Sequence, residues 1–257
     1  MKLLIKLGGA LLESEDVRKS LAAQITAQAK AGHQVVVVHG GGKRLSRYLQ
    51  AQGFETEFRR GFRVTPPEIL DAVLRVFAGS LNHQMVAEFQ AAGAQAVGLS
   101  GIDSGLVVAT QLDPDLGAVG KVERVNPALL DTLTLSGYVP TVACIAGGDD
   151  GQIFNVNADQ FAAACGAGFA ADRLIFLTDV AGVMDGDRKL IPRLTDAEAL
   201  GLIDDGVASG GMEAKLSAAV SAVRNGAGEI QIAGGSEPDV VTRLLNDEAL
   251  GTTLSAG

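Results

Sequence analysis

The stretch QVVVVHGGGKRLSRYL, residues 34–49, runs from an apolar segment through three glycines into a segment with helical spacing. Val35, Val36, Val37 and Val38 follow one another with no polar alternation. That is the pattern of a strand covered on both faces, as in a mostly parallel sheet. Gly40, Gly41 and Gly42 allow a tight turn that presents adjacent backbone N–H groups, and a helix is expected over 43–52. In open α/β sheets built from such units, ligands bind beyond the carboxyl ends of the strands.

The same alternation extends in both directions. LLIKL (3–7), AQAVGL (94–99), YVPTVACI (138–145), RLIFLT (173–178) and EIQIA (229–233) are further strand candidates. Helices are expected near 14–31, 66–92, 126–136, 157–169, 195–205, 212–226 and 237–246. Asn157 and Thr195 stand at N-cap positions, and Gly32 and Gly226 follow helix ends. The order predicts an α/β sandwich with helices on both faces of the sheet. Residues 103–125, rich in Gly, Asp and Val, predict hairpins beside that sheet. A boundary between two lobes is expected near 165–172.

The 257 residues are 47% hydrophobic and 20% charged, enough chain for a sizeable core without staples. Thirty acidic residues against 21 basic give a net charge of −9. That balance argues against nucleic acid or an anionic membrane as a partner, so an anionic ligand must be held by local donors. Cys144 and Cys165 have neither metal-finger spacing nor the context of a disulfide scaffold. Lys6 and a Gly-Gly interrupt the first apolar run, unlike a secretory signal, and no membrane-length apolar run occurs. A cytoplasmic protein is expected.

KLGGA (6–10), HGGGK (39–43) and IAGGDDG (145–151) place glycines at strand ends. Each alone reads as a tight turn; together they suggest an oxyanion held from two sides. HGGGKR lacks the spacer and Lys-Ser/Thr of a P-loop, and Leu45 stands where the last glycine of GxGxxG would be. Neither HRD, DFG nor GxSxG occurs, which disfavours protein-kinase and serine-hydrolase chemistry.

Lys6 lies inside an apolar strand, where its ammonium must reach solvent or meet an anion. Lys215 falls on the first turns of a helix and Asp159 opens another, both ordinary positions for surface residues. Brought together, two lysines and a carboxylate would suit phosphoryl transfer, where positioning and charge neutralisation supply most of the catalysis. Distance along the chain leaves open whether they meet.

KLGGALL (6–12), VVVHGGG (36–42), GFRVT (61–65), AVGLSGID (96–103), FNVNADQ (154–160), LTDVAGVM (177–184) and SGGMEAK (209–215) span nearly the whole chain. In these motifs and their order the sequence resembles the amino acid kinase family, and within it the branch that acts on N-acetyl-L-glutamate. The resemblance implies a three-layer αβα sandwich with a largely parallel central sheet. Residues 1–170 would bind the acyl substrate and dimerise; residues 171–257 would bind ATP. Lys6 and Lys215 would stabilise the transferring phosphoryl group and Asp159 would organise both. Gly8 and Gly9 would offer donors to phosphoryl oxygens, and Gly41 and Gly42 to the substrate. Arg63 would grip a substrate carboxylate and Asn155 the α-substituents.

The nucleotide is expected along Asp179, Val180, Ala181, Gly182, Val183 and Met184. Its second wall would be Val207, Ala208, Ser209, Gly210, Gly211 and Met212. Mg2+ is implied as the companion of ATP, with no dedicated set of protein ligands. The implied reaction phosphorylates the γ-carboxylate of N-acetyl-L-glutamate, a step toward arginine and ornithine. A deprotonated carboxylate needs no base, so His39 reads as structural. Lys43-Arg44 and Asn82-His83 depart from the family pattern. The short segment before Lys6 resembles homodimeric, arginine-insensitive members. The alternatives are a kinase for a carrier-bound aminoadipate or glutamate group, and a non-catalytic amino-acid sensor.

Overall fold

Apolar runs that alternate with amphipathic segments form β1 (Lys2–Leu7), α1 (Glu15–Lys30), β2 (Gln34–His39) and α2 (Gly42–Ala51) in the computed structural model, which describes residues 1–257. A short hairpin, β3 (Phe58–Arg59) and β4 (Phe62–Arg63), precedes α3 (Pro67–Val73), α4 (Asn82–Ala91) and β5 (Gln95–Ser100). Next come β6 (Val107–Gln111), β7 (Val119–Val125), α5 (Ala128–Leu135), β8 (Tyr138–Ala143), β9 (Ile145–Gly147) and β10 (Ile153–Val156). The remainder is α6 (Ala158–Gly168), β11 (Arg173–Thr178), β12 (Arg193–Thr195), α7 (Asp196–Asp204), α8 (Gly210–Arg224), β13 (Glu229–Gly234), α9 (Val240–Leu245) and β14 (Thr252–Ser255).

Eight strands form one sheet in the order β12-β14-β13-β11-β1-β2-β8-β5. Every neighbouring pair is parallel except β13 with β14. Alternate residues of the central strands enter two separate cores. Leu4, Val36, Val38, Leu174 and Phe176 pack with Leu45, Phe161 and Leu216 of α2, α6 and α8. Leu3, Ile5, Val35, Val37 and Ile175 pack with Leu21, Met85 and Val240 of α1, α4 and α9. Because side chains alternate along a strand, one continuous apolar run feeds both layers, and the αβα sandwich follows. β5 is the exception: as the open edge it is only partly buried.

The predicted hairpin over 103–125 is present as antiparallel β6 and β7. They close with β9 and β10 into a small four-stranded barrel beside the sheet. The single strand predicted over 138–145 divides at Cys144 into β8 of the sheet and β9 of this barrel. The helix predicted over 66–92 is interrupted by a π-helical stretch, Leu74–Leu81, joining α3 to α4. At the other end of the chain, α9 is shorter than expected and follows Pro238. Thr195 caps α7 reciprocally with Glu198, as its position suggests.

Candidate active site

Lys6 is the penultimate residue of β1, between Val38 of β2 and Phe176 of β11 in the centre of the sheet. Asp159 lies in the first turn of α6, whose N-terminus is fixed by Asn157: its side-chain oxygen accepts from the backbone N–H groups of Asp159 and Gln160. Lys6 Nζ stands 2.6 Å from Asp159 Oδ1, and Lys215 Nζ, from the second turn of α8, 3.4 Å from Oδ2. The lysine at Oδ1 is a close ion pair rather than an aligned hydrogen bond, since that oxygen receives no well-directed donor. Lys6 and Asp159 are only 5% and 6% exposed. Burial alone would raise the Asp159 carboxyl, but Lys6 and Lys215 outweigh it and hold it below the usual carboxylate range. The three residues singled out along the chain therefore converge: one buried carboxylate joins ammonium groups from the sheet and from α8.

Two of the three glycine loops, at 8–9 and 41–42, meet beyond the ends of β1 and β2, while Gly147 and Gly148 lie against Ile102 and Phe154 in the barrel. A Cβ at Gly8 would lie 2.9 Å from the Leu177 carbonyl oxygen, and one at Gly9 3.4 Å from the Gly42 nitrogen. Gly41 is packed against the π-helical stretch, where a Cβ would come within 2.7 Å of Leu81 Cδ2. α2 begins at Gly42 with no side-chain cap, and neither Gly41 N–H nor Gly42 N–H donates to another group of the protein. These donors and the positive end of the helix are free for an anion.

Beside them is a cavity of about 540 Å³, lined among others by Gly40, Gly41, Gly42, Arg63, Asn155 and Cys144. Arg63, 8% exposed, donates through Nη2 to Ser46 Oγ at 2.7 Å and to the Gly42 carbonyl at 3.2 Å. Its Nη1 is buried without a partner, and its guanidinium stacks 4.5 Å from the Phe58 ring. An unpartnered guanidinium nitrogen in a cavity wall suits a carboxylate ligand. Asn155 donates to Thr65 Oγ1 at 3.2 Å. Ser46, Phe58 and Phe77, which shape this pocket, carried no signal in the linear reading. Ser46 lies one helical turn beyond Gly42, so helical spacing from the glycine loop was the available clue.

The two segments expected at the nucleotide lie outside this cavity, and their residues fall in different environments. Asp179, Val180, Ala181 and Val207 are exposed, and Met184 bridges to Leu190 in a short turn. Ser209, Gly210 and Gly211 are exposed at the start of α8, with Met212 partly buried behind them. Gly182 lies close to Leu190 and Thr252, while the side chains of Val183 and Ala208 are buried in the core. Those two can offer a ligand backbone groups at most, and Val183 N–H already donates to Thr252 Oγ1.

Of the departures from the family pattern, Lys43 lines the cavity with Nζ 3.9 Å from Asp179 Oδ2, and Arg44 donates to Gln84 Oε1. His83, exposed on α4, hydrogen-bonds the Gly79 carbonyl of the preceding π-helical stretch.

Comparison with known proteins bears on the fold and the family. The profile of the amino acid kinase family matches residues 1–234. A protein of Solibacter usitatus named acetylglutamate kinase is 58% identical over 254 residues, covering 99% of both chains. One of Koribacter versatilis with the same name is 41% identical over 259 residues, covering 100% of this chain and 99% of its own. Among solved structures, the smu.665 protein of Streptococcus mutans superposes with a TM-score of 0.86 at 26% identity, covering 100% of this chain and 99% of its own. An N-acetylglutamate synthase of Neisseria gonorrhoeae, solved with coenzyme A and N-acetylglutamate, gives 0.88 at 25% identity, covering 100% of this chain and 59% of that one. The sandwich, the paired glycine loops and the match along nine-tenths of the sequence have one explanation: this chain belongs to the amino acid kinase family.

Proposed function

We propose that this protein is an acetylglutamate kinase, transferring the γ-phosphoryl group of ATP to the γ-carboxylate of N-acetyl-L-glutamate in the route to arginine and ornithine. The observation that carries the reading is the buried Lys6–Asp159–Lys215 cluster beside a cavity with an unpartnered Arg63 nitrogen. The names of the 58% and 41% identical relatives support it. A carboxylate oxygen attacks the γ-phosphorus, the bond from that phosphorus to the β,γ-bridging oxygen breaks, and ADP leaves with the electron pair. Both reactants are anionic, so the chain's task is to relieve their repulsion and align them.

In this reading Lys6 and Lys215 neutralise charge at the phosphoryl group while Asp159 keeps both in place. Gly8, Gly9, Gly41 and Gly42 donate to phosphoryl and carboxylate oxygens, Arg63 binds the substrate's α-carboxylate and Asn155 its acetamido group. The nucleotide lies along Asp179–Met184 and Val207–Met212, with residues 1–170 as the substrate lobe and 171–257 as the nucleotide lobe. No group of three His, Cys, Asp or Glu side chains converges. Mg2+ fits as an ion carried on the nucleotide phosphates, where it would neutralise their charge. No helix is long and apolar enough to cross a membrane, and we take the enzyme to act in the cytoplasm. The half-exposed edge strand β5 favours a homodimer, which light scattering on the purified protein tests.

Hydroxylamine trapping with MgATP decides the reaction. Hydroxamate from N-acetyl-L-glutamate, and none from glutamate, aspartate or N-acetyl-aminoadipate, is expected. Product from another acid would overturn the substrate; nucleotide binding without any product would favour the sensor.

A further inference from the structure

His39, the last residue of β2, is completely buried, and the transfer chemistry proposed above gives it no proton to take. Its two ring nitrogens nevertheless have defined partners. Nδ1 lies 2.9 Å from the carbonyl oxygen of Gly40, and Nε2 lies 3.0 Å from Nδ2 of Asn82. The Asn82 amide also donates to the Thr141 carbonyl at 2.8 Å, which requires its nitrogen, not its oxygen, on that side. Nε2 of His39 must then accept, and the ring proton must sit on Nδ1, donating to Gly40.

Asn82 is itself held in place. It is 3% exposed at the junction of the π-helical stretch and α4, and its Oδ1 lies 2.1 Å from where a Cβ of residue 98 would be. Only glycine at 98 leaves room for this amide. Phe77 and Leu81, from the same π-helical stretch, pack on Gly41. One interruption of a long helix thus supports both the histidine and the glycine loop, and π-helical turns recur at functional sites.

Across a trans peptide the C=O and N–H point in opposite directions. A carbonyl of Gly40 tied to His39 turns the N–H of Gly41 away from the imidazole. That N–H and the next have no partner within the protein. We infer that His39, held as its Nδ1-protonated tautomer by Asn82, is a positioning residue that sets the Gly40–Gly41 peptide plane and so aims the Gly41 N–H at the reacting oxygens. The inference rests on the proposed kinase reading of the site. Burial pushes the imidazole down to about 4, so the ring stays neutral at physiological pH and the donor on Nδ1 is not lost to titration.

Two substitutions separate positioning from packing. The amide nitrogen of His39→Asn falls near the place of Nδ1 and can still donate to Gly40. His39→Gln reaches Asn82 but leaves Gly40 without a donor. The expected result is a kcat reduced about tenfold or more in H39Q, with KM for MgATP within about twofold and a native thermal midpoint, and recovery toward the wild-type kcat in H39N. In 15N-histidine-labelled protein, the His39 resonances should show protonated Nδ1 and bare Nε2, unchanged from about pH 5.5 to about pH 9. A wild-type kcat in H39Q, an H39N variant no more active than H39Q, or a ring protonated at Nε2 would each overturn the assignment. Wild-type protein that forms no hydroxamate from N-acetyl-L-glutamate would defeat the proposed reaction instead, and the ring nitrogens would still decide the tautomer.

Discussion

Lys6 and Lys215 approach opposite oxygens of one carboxylate, at 2.6 Å and 3.4 Å from Asp159, one from a central strand and the other from α8. The two ammonium groups are held close only because a buried anion stands between them. The charge arrangement is set within the protein itself: two cations and one anion leave a net positive centre to meet phosphate oxygens.

Asp159→Ala should therefore be damaging twice over. Removing one partner from a buried ion pair costs about 3–5 kcal/mol of stability. The misplaced lysines should also lower kcat by about a hundredfold or more. Lys6→Ala and Lys215→Ala should depress kcat far more than they raise KM for either substrate. Urea titration and hydroxamate kinetics on the three variants check this; intact turnover in both lysine variants would sink the electrostatic mechanism.

Arg63, in the cavity wall, uses Nη2 to hold the start of α2 and has no partner at its buried Nη1. Arg63→Ala should raise KM for N-acetyl-L-glutamate by roughly ten- to a hundredfold, the loss of charge-assisted hydrogen bonds worth about 1.5–3 kcal/mol. Arg63→Lys should recover little, because an ammonium cannot serve Ser46, Gly42 and a ligand in the same plane. An unchanged KM in the alanine variant would refute the assignment.

Acid should weaken the fold in two stages. The His39 pKa is about 4 in the folded protein against about 6.5 when unfolded, so between those values only the unfolded chain takes up the proton. Its contribution is fully present above the unfolded pKa and fades as pH falls toward 4, by on the order of 3 kcal/mol. Asp159, depressed by its lysines, contributes stability above its unfolded pKa that is lost only on further acidification. Urea midpoints measured across this range should fall for the wild type and much less for His39→Asn between pH 6.5 and about 4. A wild-type midpoint flat over that interval would contradict the buried neutral imidazole.

Both cysteines should be inert in the native protein. Burial pushes the Cys144 thiol up to about 12 and raises Cys165 as well, so neither supplies thiolate at neutral pH. A thiol reagent should label neither until the chain unfolds, and then both. Rapid labelling of the native protein would show the wall of the cavity at Cys144 to be open to solvent.

What the linear sequence determined is tied to local rules. Uninterrupted apolar runs such as Val35–Val38 can only be strands or helices covered on all sides, and glycines after them mark where β1 and β2 end. Asn157 and Thr195 announced the starts of α6 and α7, because a cap bonds only to residues two or three positions on. The π-helical stretch and the division of the 138–145 run at Cys144 were not legible: each arises where one segment must serve two neighbours, the glycine loop and α4 in one case, sheet and barrel in the other. Motif likeness brought out Lys6, Asp159 and Lys215 as a set, but their chemistry depends on tenths of an ångström between a strand and two helices. Likewise Val183 lies within a matching motif, and Ala208 just before another, yet both face the core. Whether Lys6 meets solvent or a carboxylate, and which ring nitrogen of His39 holds the proton, is decided by atoms distant in the chain. Only the packed tertiary structure brings those atoms within a few ångströms, where desolvation and hydrogen bonding act.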